Sequence, residues 1–289
     1  MKFNLFILAI SILSLSVSCE KKMDKIFDEN PTDRLNATVS NVYSTLQSNK
    51  DGWVFKYFPS SALEFGGYTL FAKFTNNVDV SFEGDMTTLA AQTSTYTVVS
   101  GAGPILTFDT YNKIFHFFAL PQYFNKLSTY QLPGFITSSS GVGAVNEGMK
   151  GENDFLVTKV TADSIVMEGR KSYNKLVMVP IKSADAATIV AAYRAAVTKF
   201  NAFSNYKFEV GTESFPATFA NTTTKRALLI AGNTKPYAYR YTPTGLEFYT
   251  EYDVNGVKFR ELKYVEPTGA YTKGYFTNDA GTIKLVPQS

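Results

Sequence analysis

Cysteine and histidine, the side chains that most often carry nucleophilic or metal chemistry, occur once each in these 289 residues, as Cys19 and His116. A disulfide needs a second thiol, a structural zinc centre needs several ligands, and an H-E-x-x-H metallopeptidase helix needs two histidines. No metal site and no cofactor is expected. A Ser/His/Asp triad would have to use His116, which lies in Ile114-Phe115-His116-Phe117-Phe118 with no G-x-S-x-G elbow. That alternation reads instead as a histidine on the face of a strand over 114–118. Gly141-Val142-Gly143 resembles half a nucleotide loop but lacks the buried strand before it and the helix after it. Glycoside hydrolysis needs only two carboxylates at a suitable separation. Glu64, Asp79, Glu83, Asp85, Asp109, Glu247, Glu251, Asp253 and Glu261 are available, but they are scattered over strands and turns and read more simply as solvated acids.

The charge balance, 28 Lys plus Arg against 25 Asp plus Glu, contains no basic block and points away from nucleic acid. Aromatic residues are more suggestive, with 24 Phe and 18 Tyr. Tyr237, Tyr239 and Tyr241 alternate and so share one face of a strand; Phe248, Tyr249 and Tyr252 follow across the Pro243–Gly245 turn. Tyrosine offers a flat apolar ring and a hydroxyl, suited to stacking on a sugar or gripping a peptide, which makes Tyr237, Tyr239, Tyr241 and Tyr249 candidate ligand-binding residues. The alternative is a half-buried β core rich in tyrosine. Trp53, directly after Gly52, has the place of the barrel-closing tryptophan of lipocalin-like folds and reads as core.

Such side chains must be positioned by a β framework, and the chain supplies one after an N-terminal leader. Met1-Lys2, the apolar run Phe3 to Leu15 and the small residues Ser16-Val17-Ser18 form a secretion signal, too short for a permanent transmembrane helix. The tetrad ending in Cys19 resembles a lipobox, so Cys19 is the expected lipidation site and the membrane is met through a lipid anchor only. Residues 1–18 are then the signal peptide and 19–30 a charged tether. Asn30, Pro31 and Asp33 open a helix whose apolar face carries Leu35, Val39, Val42, Tyr43 and Leu46 and which ends at Asp51-Gly52.

From Gly52 the period switches to two. Strands are expected over 53–58, 67–75, 78–83, 94–100, 104–109, 114–118, 154–160, 163–169 and 175–181, with a mobile Ser/Gly-rich loop over 137–152. A second helix, capped by Ser183, carries Ile189, Val190, Tyr193, Val197 and Phe200. Further strands are expected over 206–211, 226–231, 237–242, 245–252, 257–264 and 282–286, with a type I′ turn at Asn255-Gly256. The fold class is mainly β with two helices: 31–182 a helix plus a lipocalin-like antiparallel meander or barrel, 183–289 a helix plus a smaller antiparallel β unit. A β-sandwich would use similar strand lengths.

Five blocks, Gly52-Trp53-Val54-Phe55-Lys56-Tyr57-Phe58-Pro59, Gly66-Gly67-Tyr68-Thr69-Leu70, Gly103 to Asn112, Gly169-Arg170-Lys171 and Thr244-Gly245-Leu246-Glu247-Phe248, together resemble a Bacteroidota lipoprotein family catalogued as domain of unknown function 4302. The likeness runs from Asp28 to the Tyr264 strand. It implies an outer-membrane, cell-surface setting beside a SusC/SusD-like importer and neighbouring surface lipoproteins, and hence nutrient capture; the family has no established catalytic residues. The expectation is therefore a non-catalytic accessory lipoprotein that binds glycan or oligopeptide or docks on an importer. The alternatives are a carboxylate-based glycan hydrolase and a purely structural subunit of an outer-membrane complex.

Overall fold

A computed structural model describes residues 30–122, 141–230 and 232–288. The leader, Cys19, the tether up to position 29 and positions 137–140 of the expected loop lie outside the described residues.

Helix α1 (Pro31–Ser48) begins where the cap residues place it, the Asn30 side-chain oxygen accepting the Thr32 N–H at 3.0 Å. Val42 and Leu46 are its buried residues, and the Leu46 carbonyl accepts the Trp53 indole N–H at 2.8 Å. Trp53 opens β1 (Trp53–Tyr57), followed by β2 (Tyr68–Phe74), β3 (Asp79–Gly84), β4 (Gln92–Ser100), β5 (Pro104–Phe108), β6 (Asp154–Thr161), β7 (Ser164–Gly169) and β8 (Lys175–Pro180). Each strand pairs antiparallel with the next, and β1 pairs with β8, Trp53 opposite Pro180, to close a barrel. The closure excludes the sandwich. Alternation decides which residues face inward: Val80 and Phe82 in β3, Ile165 and Met167 in β7 are buried, and their neighbours are not.

Helix α2 (Ile189–Asn201) leads into β9 (Asn205–Val210), β10 (Glu213–Phe219), β11 (Ala227–Ile230), β12 (Tyr237–Thr242), β13 (Gly245–Val254), β14 (Val257–Val265), β15 (Tyr275–Thr277) and β16 (Ile283–Gln288). These too form a closed antiparallel barrel, completed by β16 on β9 with Leu285 opposite Phe208. The second unit is shorter in chain than the first but closes with the same number of strands. The β13–β14 turn has φ of 52° at Asn255 and 79° at Gly256, the double left-handed geometry of a type I′ turn.

Three local expectations are corrected. Residues 114–118 form no strand: Ile114 and Phe115 lead into a 3₁₀ turn, His116–Ala119, within the β5–β6 connection. The Asn112 side-chain oxygen organises it by accepting the N–H groups of Ile114 and Phe115, and Asn112 in turn donates its own N–H to His116 Nδ1 at 2.9 Å. The turn drives aromatic rings into the first core, Phe115 at 4.9 Å from Phe82 and 4.5 Å from Phe108, and Phe118 at 4.9 Å from Tyr57. Secondly, the described part of the 137–152 loop is fastened at both ends, where Val142, Met149 and Glu152 are buried and Phe118 accepts backbone hydrogen bonds from Met149 and Gly151, while Val145 between them is exposed. Thirdly, Ser183 does not cap α2. Its hydroxyl donates to Asp51, and Thr188 occupies the cap position after a stretch of turns.

Candidate functional site

The inward face of β12 carries Tyr237, Tyr239 and Tyr241; its other face carries Ala238 and Arg240 toward the first barrel. Both faces of this strand are therefore buried, and it forms the seam between the two barrels. Across the seam the Gly67 N–H donates to the Tyr239 carbonyl at 2.9 Å. Gly66 has φ of 69°, and a Cβ there would overlap the Arg226 carbonyl oxygen, so the chains meet at a place only glycine fits.

Two ion pairs are enclosed at this seam. Arg226 reaches Asp85 at 2.9 Å and the Gly67 carbonyl at 2.9 Å, with its guanidinium 4.3 Å from the Tyr68 ring and 4.9 Å from the Tyr241 ring. Arg240 donates to Thr69 Oγ1 at 2.8 Å, to the Tyr193 hydroxyl at 3.4 Å and to Glu247, whose other oxygen accepts from Lys56 at 2.5 Å. Burial alone would raise the Glu247 carboxyl pKa, but Arg240 and Lys56 outweigh it and hold the group below its ordinary value. Burial likewise opposes the Arg240 charge, and Glu247 and Tyr193 overcome it. A carboxylate held ionised between two cations is a poor proton donor, so Glu247 is suited to positioning rather than to acid catalysis. Arg240 Nε remains enclosed without an acceptor among the described residues.

Helix α2 straddles the seam. Tyr193 packs edge-on against Phe71 at 5.4 Å on one barrel, Phe200 belongs to the core of the other, and Arg194 donates to the Gly84 and Leu89 carbonyls. Along this helix lie two hollows of about 460 Å³ each that share Ala192, Pro243 and Thr244. One is lined by Asp185, Tyr193, Arg240, Glu247 and Glu261 among others; the other by Ala195, Lys199, Lys263, Tyr264 and Glu266. The space exists because α2 presents alanines there. Together the hollows make an exterior trough with Arg240 and Glu247 in its wall.

The tyrosines singled out in the sequence stand elsewhere. Tyr239 and Tyr241 are fully buried and both donate their hydroxyls to the Lys225 carbonyl, at 2.8 and 2.9 Å. Tyr237 is buried, its hydroxyl accepting from Asn233. Tyr249 packs 4.9 Å from Phe58, and its hydroxyl accepts the Lys175 N–H. Their rings fill the second barrel and the seam instead of facing an open recess. His116 is buried at the 3₁₀ turn, where burial lowers its pKa, and Cys19 lies outside the described residues. Of the nine acids, the structure brings Glu247 and Glu261 to the trough and Asp85 to the seam. Sequence reasoning missed Arg240, whose signal was a lone charge inside Tyr-Ala-Tyr-Arg-Tyr, a strand with both faces apolar. Among the described residues no cluster of acids, histidines or cysteines could hold a metal ion.

No curated protein and no solved structure matches the chain. A family model does match, over residues 23–266, which is most of its length, and the protein belongs to that family, described as Domain of unknown function (DUF4302).

Proposed function

We propose that the protein is a lipid-anchored, surface-displayed accessory protein of an outer-membrane nutrient-uptake system, which binds glycan or oligopeptide or docks on a SusC/SusD-like importer without catalysing a reaction. The observation that carries this reading is that, among the described residues, the inward faces of both barrels carry aromatic side chains packed on one another, while the trough with converging polar groups lies outside, along α2. A filled barrel is a scaffold; recognition then belongs to its exterior. The leader and the single Cys19 support anchoring, and a tether of about ten residues reaches roughly 30 Å when extended, enough to hold the domain clear of a bilayer surface.

The test is affinity purification of the full lipidated chain from detergent-solubilised outer membranes, with partners identified by mass spectrometry. Stoichiometric recovery of an importer pair is the expected result. Cys19→Ala should move the protein to the soluble fraction, and unchanged membrane attachment of that variant would refute the anchor.

A further inference from the structure

Strained backbone and exposed apolar side chains gather at one end of the first barrel. Among the described residues five other than glycine have a left-handed φ. Three of them, Leu63 (61°), Lys150 (61°) and Tyr173 (57°), lie in the three segments that frame a single hollow of about 350 Å³, lined by Ser61, Asn146, Glu147, Lys150, Lys171 and Ser172 among others. A bulky residue in that region is strained and persists only where its surroundings over-determine it. The β7–β8 turn shows how. The buried Glu152 carboxylate accepts the Lys171 and Ser172 N–H groups, at 2.6 and 3.2 Å, and the Ser172 hydroxyl. The buried Asn174 side chain donates to the Phe58 and Ser60 carbonyls, both at 2.9 Å, and the Tyr173 N–H donates to the Gly169 carbonyl at 3.0 Å. Two neighbours of the lining residues are left in solvent by this locked frame. Tyr173 is 74% exposed, and its ring and hydroxyl have no ring contact or hydrogen bond among the described residues. Val145, in the turn closed by the Ala144–Gly148 bridge, is 66% exposed. Strain that holds a tyrosine out in water does nothing for the fold and is the mark of a ligand clamp.

We infer that this hollow binds a short zwitterionic peptide, its carboxylate on Lys171, its ammonium on Glu147 and an apolar side chain against Tyr173 and Val145. The inference rests on the binding reading above and deepens it by choosing between its ligand classes, at a place apart from the trough along α2. The charges around the hollow select the peptide. Lys150 is already paired with Glu64 at 3.2 Å, whereas Lys171 and Glu147 have no ion-pair partner among the described residues. A neutral sugar would leave both unmatched, and an acidic one would meet the Glu147 carboxylate; a zwitterion answers one charge of each sign. The two exposed apolar side chains then have a partner that a peptide supplies and a hydrated sugar chain supplies less well. Size agrees, since about 350 Å³ lies at the lower end of small-ligand sites and gives room for about two or three residues.

Isothermal calorimetry on the full lipidated chain in detergent provides the test. The probes are alanyl-leucyl-alanine, alanyl-phenylalanyl-alanine and alanyl-tyrosyl-alanine, each free, N-acetylated and C-amidated, with maltotriose and xylotriose as contrasts. At least one free tripeptide should bind, and blocking either end should weaken it about fivefold, the worth of a partly exposed ion pair. Lys171→Gln should erase the effect of amidation and Glu147→Gln that of acetylation, each variant leaving the other effect in place. Tyr173→Gly should weaken binding about tenfold or more while Tm holds or rises, because glycine adopts the left-handed backbone freely; a ring needed only for the fold would lower Tm instead. No binding of any free tripeptide at millimolar concentration, binding indifferent to Tyr173→Gly, end-blocking without effect, or trisaccharide binding that Tyr173→Gly abolishes would each overturn the inference. Recovery of the importer pair together with any of those results would leave the accessory role standing and remove only its peptide.

Discussion

Replacing Asp85 by asparagine changes one oxygen for an NH₂ at a place where the side chains are sealed, Arg226 being 3% and Asp85 0% exposed. The shape is preserved and the charge is lost. Arg226 approaches the carboxylate through two nitrogens, at 2.9 and 3.4 Å, so the pair is bidentate. At ~4 Å between charge centres and an effective dielectric of ~20, the attraction is about 4 kcal/mol. Removing one partner of such a pair leaves an uncompensated buried charge, which costs about 3–5 kcal/mol. The Gly67 carbonyl and the rings of Tyr68 and Tyr241 still hold the guanidinium, which places the expected loss near the lower end, about 3 kcal/mol. Urea unfolding at pH 7 measures it, followed in parallel by far-UV circular dichroism and by the fluorescence of Trp53, the one tryptophan and a residue of the first barrel. The companion variant Asp85→Leu/Arg226→Met removes both charges. It leaves the Gly67 carbonyl without its guanidinium donor, at about 1 kcal/mol, and should lie within about 2 kcal/mol of the native protein. A loss under about 1 kcal/mol in Asp85→Asn, or a double variant as unstable as the single one, would refute the view that burial of the charge sets the cost.

Phe115→Ala empties the centre of the first barrel where Tyr57, Phe82, Phe108 and Phe155 converge, and should cost about 3–5 kcal/mol in denaturant unfolding. Gly66→Ala sets a methyl group against the Arg226 carbonyl and forces a left-handed φ on alanine; a loss of about 2 kcal/mol or more is expected, whereas Gly281→Ala, where a methyl meets nothing within 4 Å, should show only the smaller left-handed cost of about 1 kcal/mol. Burial pushes Tyr241 and Tyr252 up to about 12, chiefly by desolvating the phenolate. A group bound to its proton more tightly when folded stabilises fully below its ordinary value of about 10 and loses that contribution as pH rises through its folded value. Stability should therefore fall between about pH 10 and 12, with the last share of the tyrosinate absorbance near 295 nm appearing only together with unfolding; ionisation of all eighteen tyrosines while the circular dichroism stays native would contradict the burial.

Most strands were legible because turn residues bound short segments whose alternation survives in the structure, as in β3, β7 and β9. The failures have physical causes. Ile114 to Phe118 is five residues of nearly unbroken apolar character, and periodicity cannot separate a strand in a sheet from a turn wrapped on all sides by other rings. Strand β10 escaped because Pro216 and a mostly exposed pattern argue against a strand, yet it pairs on both sides. Strand β15 has only three residues. The tyrosine alternation of β12 correctly placed three rings on one face, but alternation does not say whether that face meets solvent, a ligand or a core. The trough was illegible for a different reason: it arises where α2 crosses the β12–β13 turn, a juxtaposition of segments some fifty residues apart for which a single sequence gives no local signal.

Closure of the second barrel bears on where the chain can be cut. The family match ends at Glu266, one residue beyond β14, whereas β16 is the strand that covers β9 along six register pairs from Asn205–Gln288 to Val210–Ile283. A fragment ending with the family match would leave β9 and β14 as unpaired rims, each with a free row of backbone donors and acceptors. Strands left so are templates for pairing with another molecule. Because the two rims differ, the contact between copies would be head-to-tail and would not have to close, and such a fragment should polymerise where the full chain stays discrete.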